Sequence, residues 1–230
     1  GIGGFRQALS LLSEDFDIPQ TTIAFSEIDS SAVKSYKAIY DIENELEMGD
    51  IVAFNQNEEN ILELPNIDLL TGGFPCQAFS MMGKQKGFED MRGNVFFQIL
   101  EILKRKKPKY VLLENVRNLK THNNGQTFAY IIESLKNCGY DNIYYDIFNT
   151  EDFGLAQKRN RVFIFAMDSL WIYIFFIFLQ ESVLIKNLCN RRCFINDQRL
   201  VVTGHGFLRC IQGAQEDIEI CLIRIVVGIT

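Results

Sequence analysis

Over its first 166 residues the chain alternates apolar, strand-like runs with amphipathic helical patterns, and this alternation restricts the fold more than any other feature. Gly1-Ile2-Gly3-Gly4 opens a helical pattern that continues through Leu12. Thr21 to Ile28 (TTIAFSEI) is β-branched and apolar and ends on Glu27, after which Ser30 and Ser31 cap a helix to about Tyr40. Ile67 to Leu70 reads as a short strand before Thr71-Gly72-Gly73. Val95, Phe96, Ile99, Ile102 and Leu103 share one helical face, and Tyr110 to Leu113 is again strand. Phe128, Ile131, Ile132 and Leu135 recur at helical spacing before a stop at Gly139. Asn142 to Phe148 and Arg161 to Ala166 close the series as strands. Strand followed by helix, repeated, predicts an α/β domain, an open sheet with helices on both faces. Ligands of such sheets sit at the carboxyl ends of the strands. Glu27, Asp50, Asp68, the 73–80 loop and Glu114 are therefore expected along one edge.

The rhythm stops after Ala166. Residues 167–230 show neither alternation nor clear caps and read as an irregular tail, separate from a domain over 1–166. The most apolar run, Leu170 to Leu179 (LWIYIFFIFL), is about half of what a membrane helix needs, so a buried strand is expected and no membrane partner. The first residue is Gly, inside what reads as the turn after a strand; the expectation is an N-terminally truncated fragment lacking that strand.

A net charge of −6 excludes a uniformly basic nucleic-acid coat protein but not a basic cleft. Residues 1–74 carry 3 Lys+Arg against 14 Asp+Glu, whereas residues 75–166 carry 14 against 9, which aims the middle of the chain at a polyanion or leaves two solvated faces. The six cysteines form no CxxC pair and accompany no secretory signal, so a reduced, intracellular setting is expected. Cys189 and Cys193 are four apart, but Cys210 and Cys221 are poorly spaced, and no metal site is expected.

Gly1-Ile2-Gly3-Gly4 is a glycine-rich turn of the kind that lets backbone approach a nucleotide-like ligand. Glu27 ends the next strand, where a carboxylate could accept from ribose hydroxyls, and Asp50 could accept from an adenine amino group. Gly73-Phe74-Pro75-Cys76-Gln77 is the sharpest local feature. Pro75 stiffens the turn, and Cys76 sits outside any apolar run, where a strand end would present a nucleophile. Lys84, Lys86 and Arg92 follow in a loop dense in Gly and Met, suited to closing over a polyanion. Glu114 ends the run YVLLEN; a carboxyl group there is partly desolvated and could carry a proton to a ring nitrogen. Arg159 and Arg161 are expected on one face of the strand that begins there, either holding a phosphate, orienting a carboxylate or forming a surface salt bridge.

GIGGF, SEID, GDI, GFPCQAFS, ENV and QKRNR occur in the order of the sequence blocks of the cytosine-C5 DNA methyltransferases. The chain resembles that family over about residues 1–166, and GFPCQAFSMMGKQKGFEDMRGNVFF is especially similar to bacterial modification enzymes of restriction systems, the HhaI methyltransferase type. The resemblance implies a Rossmann-like sheet that uses S-adenosylmethionine and acts on double-stranded DNA in the bacterial cytoplasm, associated with the nucleoid. It implies that the Cys76 thiolate adds to C6 of a flipped cytosine while Glu114 engages N3, with Arg159 and Arg161 near Glu114. It places Glu27 on the ribose hydroxyls, Ile28 and Asp50 at the adenine, Gly1, Gly3 and Gly4 on the methionine side, and Pro75 against the cofactor. Ser80, Lys84, Lys86 and Arg92 would close on DNA. Ile28 departs from the Trp of the nearest family members, and no target-recognition region or late Gly-Asn-(Ser/Ala)-Val block is recognisable beyond Ala166. Relatives that act on tRNA typically open the cysteine block with two prolines, where Gly73-Phe74-Pro75 stands here. An inactive remnant, or one chain of a split enzyme with a complementing partner, is the rival expectation.

Overall fold

Residues 2–17, 19–75, 95–168 and 223–228 are described by the structure, a computed structural model. They form, in chain order, α1 (Gly4–Phe16), β1 (Gln20–Ser26), α2 (Ser30–Ile39), β2 (Leu46–Glu47), α3 (Ile51–Asn55), α4 (Glu58–Glu63) and β3 (Leu69–Gly73). There follow α5 (Val95–Lys106), β4 (Tyr110–Val116), α6 (Gln126–Asn137), β5 (Asn142–Asn149), β6 (Asn160–Met167) and β7 (Ile223–Gly228). The strands make one seven-stranded sheet in the order β2-β1-β7-β3-β4-β6-β5. Neighbours are parallel except at β6, which runs antiparallel to both β4 and β5.

Each turn of the alternation has a local cause. The cap of α2 is Asp29, one residue ahead of the expected serines: its Oδ1 accepts from the Ser31 and Ala32 N–H groups at 2.8 and 3.4 Å. A carboxylate does this better than a hydroxyl because it also opposes the helix dipole. Helix α5 ends on Lys104, Arg105 and Lys106, cations that suit a helix C-terminus. Past the end of α6, Gly139 takes φ +99° as the stop that its position predicts. Strand β3 starts later than expected and absorbs Thr71, Gly72 and Gly73, and β4 continues through Glu114 to Val116. The absence of a side chain at Gly72 lets α5 approach the sheet: a Cβ there would meet Ile99 Cδ1 at 3.3 Å.

The sheet divides two apolar layers. Ala24 and Phe25, neighbours on β1, point to opposite faces as the strand period requires. Ala24 joins Leu70, Ile99, Leu103, Leu113 and Ile131 beneath α3 to α6, whereas Phe25 packs on Tyr36 with Phe5 and Leu9 beneath α1 and α2. Fully burying a side chain of this size stabilises the fold by about 1.5–3 kcal/mol.

One strand of the sheet comes from the stretch read as an irregular tail. Strand β7 lies between β1 and β3, pairing from Gln20↔Ile223 to Ser26↔Gly228 on one side, with a one-residue shift between Thr22 and Ala24, and from Leu69↔Ile225 to Gly72↔Gly228 on the other. A strand from beyond Ala166 therefore lies within the sheet rather than at its margin. IRIVVG holds the β-branched residues Ile223, Ile225, Val226 and Val227, a composition that suits a strand. The rest of the tail, with Leu170 to Leu179, Cys189, Cys193, Cys210 and Cys221, lies outside the described residues. Among the described residues, no helix is long and apolar enough to cross a membrane.

Candidate active site

Strands β1, β3 and β4 are parallel, so Glu27, Phe74-Pro75 and Glu114-Asn115 are brought to one edge. The reversed strand β6 contributes its beginning rather than its end to that edge. Glu114 pairs with Phe163 and Val116 with Arg161, which sets Glu114 and Arg161 diagonally on one face. Arg161 Nε donates to Glu114 Oε1 at 2.8 Å, with both side chains about three-quarters covered. Arg161 Nη1 also donates to the Asn160 carbonyl at 2.9 Å, so the guanidinium is held at two points and fixes the carboxyl rotamer.

Asn115, which the sequence did not single out, joins this edge. It is buried, its Nδ2 donates to the Phe74 carbonyl at 2.6 Å, and its Oδ1 accepts from the Val116 N–H at 2.8 Å. The strand that carries Glu114 is thereby fastened to the peptide just ahead of Pro75-Cys76, and Gly73 is the register partner of Glu114. Asn115→Ala is expected to leave the Phe74 carbonyl without this donor and to lower stability by about 1–3 kcal/mol. Urea unfolding checks it; an unchanged midpoint refutes the bond's contribution.

On the opposite part of the edge, Gly3 is the N-cap of α1 at φ +90°, and apart from Gly4's chain neighbours and the nearby backbone of α1 no described atom lies within 4 Å of where a Cβ on Gly4 would stand. Glu27 is 5% exposed, and its Oε1 accepts from the N–H groups of Ile28 and Asp29 at 2.8 and 2.9 Å, which holds the carboxylate in the turn after β1. Ile28 beside it is 78% exposed, a large apolar side chain left in the open. Asp50 is exposed and caps α3 through a 2.8 Å bond from the Val52 N–H. Its loop is tied to β1, because Ser26 Oγ donates to the Gly49 carbonyl at 2.7 Å.

Three expectations change. Asn160, not Arg159, begins β6; Arg159 precedes the strand and is exposed, its N–H donating to Asn149 Oδ1 and Thr150 Oγ1 at 3.1 and 3.0 Å. The two guanidinium groups therefore do not share a strand face. Asp68 precedes β3 at the amino edge, away from the site, where it pairs with Lys109 at 3.2 Å. Much of the basic excess is also spent there: Lys104 and Arg105 pair with Glu101, Arg105 also with Glu58, and Lys106 donates to the Leu62 carbonyl at 3.1 Å. Burial works to raise the Glu101 carboxyl, but the hydrogen bonds and charges of Lys104 and Arg105 together hold it below its ordinary range, so that carboxylate's stabilising contribution is lost as the solution is acidified through its titration. Gly1, Cys76, Ser80, Lys84, Lys86 and Arg92 lie outside the described residues; Pro75 is described and exposed.

The family model described as C-5 cytosine-specific DNA methylase matches residues 1–185. The type II methyltransferase M1.ScrFI of Lactococcus lactis subsp. cremoris is 42% identical over 168 residues, 73% of this chain and 40% of that protein. The type II methyltransferase M.NgoBI of Neisseria gonorrhoeae is 44% identical over 164 residues, 71% of this chain and 47% of that protein. The chain spans less than half the length of these curated relatives. Among solved structures, the S. pombe Dnmt2 methyltransferase is alike in fold, with a TM-score of 0.53 at 23% identity over 73% of this chain and 47% of that one. The Entamoeba histolytica methyltransferase EhMeth has a TM-score of 0.52 at 26% identity over 73% of this chain and 50% of that one. The Rossmann-like methyltransferase sheet expected from the sequence blocks is the fold found.

Proposed function

Because the chain belongs to the family of C-5 cytosine-specific DNA methylases, we propose that it is the catalytic portion of a restriction-modification DNA (cytosine-5)-methyltransferase. The observation that carries this reading is the Glu114–Arg161 pair, fastened through Asn115 to the peptide ahead of Pro75-Cys76. An acid and a cysteine two residues past an immobilised carbonyl are the two groups that a ring addition needs.

A cytosine stacked in a duplex hides C5 and C6, so the target base is extruded into the edge where these residues converge. The Cys76 thiolate forms a bond to C6, and the displaced π electrons move toward C5 and the N3 side of the ring. Glu114, oriented by Arg161, hydrogen-bonds or protonates N3 and so stabilises that charge. When bound, S-adenosylmethionine supplies an electrophilic methyl group to the C5 carbon made nucleophilic by this addition. Loss of the C5 proton and departure of Cys76 restore the ring.

The residues on the other part of the edge fit such a cofactor. Gly4 has open space beside it for the methionine end, with Gly3 shaping the turn ahead of it, the Glu27 carboxylate suits ribose hydroxyls, and exposed Ile28 offers an apolar face for adenine beside Asp50. Ser80, Lys84, Lys86 and Arg92 are assigned to duplex DNA, whose phosphates a basic loop attracts. The bacterial cytoplasm, on the nucleoid, is the corresponding setting. The rival expectation, one chain of a split enzyme with a complementing partner, is an outcome of the same test.

A long mixed-sequence duplex containing 5-fluorocytosine tests both. Fluorine cannot leave C5 as a proton does, so Cys76 remains bonded to the base. With S-adenosylmethionine present, the chain is expected to give a denaturation-resistant DNA adduct whose peptide maps to Cys76. An adduct that forms only after a second chain with a recognition region is added establishes the split enzyme. No adduct under either condition overturns the reading.

A further inference from the structure

Beneath the Gly3 turn lies a knot of polar side chains from three separate segments. Arg6, on the first turn of α1, forms an ion pair with Glu45, whose side chain is 4% exposed against 14% for Arg6. Arg6 Nη1 donates to the Tyr36 hydroxyl at 3.0 Å and Nη2 to the Asp41 carbonyl at 2.8 Å. The Tyr36 hydroxyl donates in turn to Glu45 Oε2 at 2.9 Å. The guanidinium carbon stands 4.4 Å from the centre of the Tyr40 ring, and the Tyr40 hydroxyl donates to the Gly3 carbonyl at 3.1 Å. Both rings press on the turn itself: a Cβ on Gly3 would come within 2.5 Å of Tyr40 and 2.9 Å of Tyr36.

A buried ion pair is a poor source of stability, since well-packed apolar residues of the same volume do as well or better. What such a network supplies is a fixed geometry, because every member is held by more than one partner. The geometry fixed here is that of Gly3, a left-handed residue at the mouth of α1 with no side-chain cap of its own. The turn borrows its support from α2 and from the segment before β2. We propose that Arg6, Tyr36, Tyr40 and Glu45 are positioning residues that hold the Gly3 turn in the shape that receives the methionine end of the cofactor, an inference that rests on the cofactor reading above.

Tyr40→Phe keeps the ring against Gly3 and Arg6 and removes the hydroxyl, with its bond to the Gly3 carbonyl and its longer, exposed 3.4 Å contact with Gln7 Oε1. In the full chain, calorimetry with S-adenosylhomocysteine is expected to show affinity weakened about fivefold, the size of one neutral hydrogen bond, while the thermal midpoint stays within about a degree of the unaltered protein. Glu45→Gln, which discharges the knot but keeps an acceptor for Tyr36, is expected to weaken affinity by more than its loss of stability accounts for. If the unaltered chain binds the ligand and Tyr40→Phe binds it equally well, the positioning role is overturned and the cofactor reading stands. Affinity that falls only in proportion to the unfolded fraction overturns it as well. If the unaltered, folded chain binds no S-adenosylhomocysteine, the cofactor reading fails and this inference with it.

Discussion

Cys76→Ala removes methyl transfer to below detection and leaves S-adenosylhomocysteine affinity within about twofold. The size of the effect follows from the chemistry. C5 of a neutral cytosine is a weak nucleophile, and only a covalent bond at C6 pushes enough electron density onto it; taking the nucleophile from an enzyme that works covalently costs roughly 10⁴–10⁶-fold. Alanine is smaller than cysteine and uncharged, so the duplex still binds and the turn at Gly73-Phe74-Pro75 is still fastened by Asn115. Incorporation of labelled methyl into cytosine C5 is the measurement. Label at C5 in the alanine variant shows that another group attacks C6.

Glu114→Gln slows the single-turnover rate by roughly 10²–10⁴-fold, the range for a positioned acid–base group. Glutamine matches the shape of the carboxyl group and can still accept from Arg161 Nε, now 2.8 Å from Glu114 Oε1, so the geometry of the edge survives. What is lost is the negative charge that balances Arg161 and the ability to hand a proton to N3. An unchanged single-turnover rate removes Glu114 from the chemistry. A rate lost together with the fluorocytosine adduct places its action at or before the addition to C6.

The layers of the fold were legible because each element carries its own period. VFFQILEILKRK repeats apolar residues at helical spacing, and the run from Tyr110 is apolar where the strand is covered on both faces. Strand direction has no such signature: nothing local in NRVFIFAM distinguishes a parallel from an antiparallel neighbour, yet the reversal of β6 decides that Arg161 rather than a residue near Met167 meets Glu114. The sequence block QKRNR offered two guanidinium groups, and one residue of difference in where the strand starts separates them. Strand β7 has β-branched residues at four of its six positions, but the sequence ahead of it shows no strand–helix alternation that would identify it as part of the series. Asn115 and the Arg6–Glu45 pair escaped notice for a different reason. Their partners lie 41 and 39 residues away in the chain, and hydrogen bonds across such separations leave no periodic trace.

The bond from Asn115 to the Phe74 carbonyl also bears on when orientation is achieved. A loop free to wander would have to be recruited afresh at every turnover, and the entropy of that recruitment would appear in the barrier. Here the backbone two residues upstream of the sulfur is immobilised by the same collapse that buries Leu113 and Val111. The restriction of motion is settled once, during maturation of the polypeptide, and whatever later meets this edge inherits it.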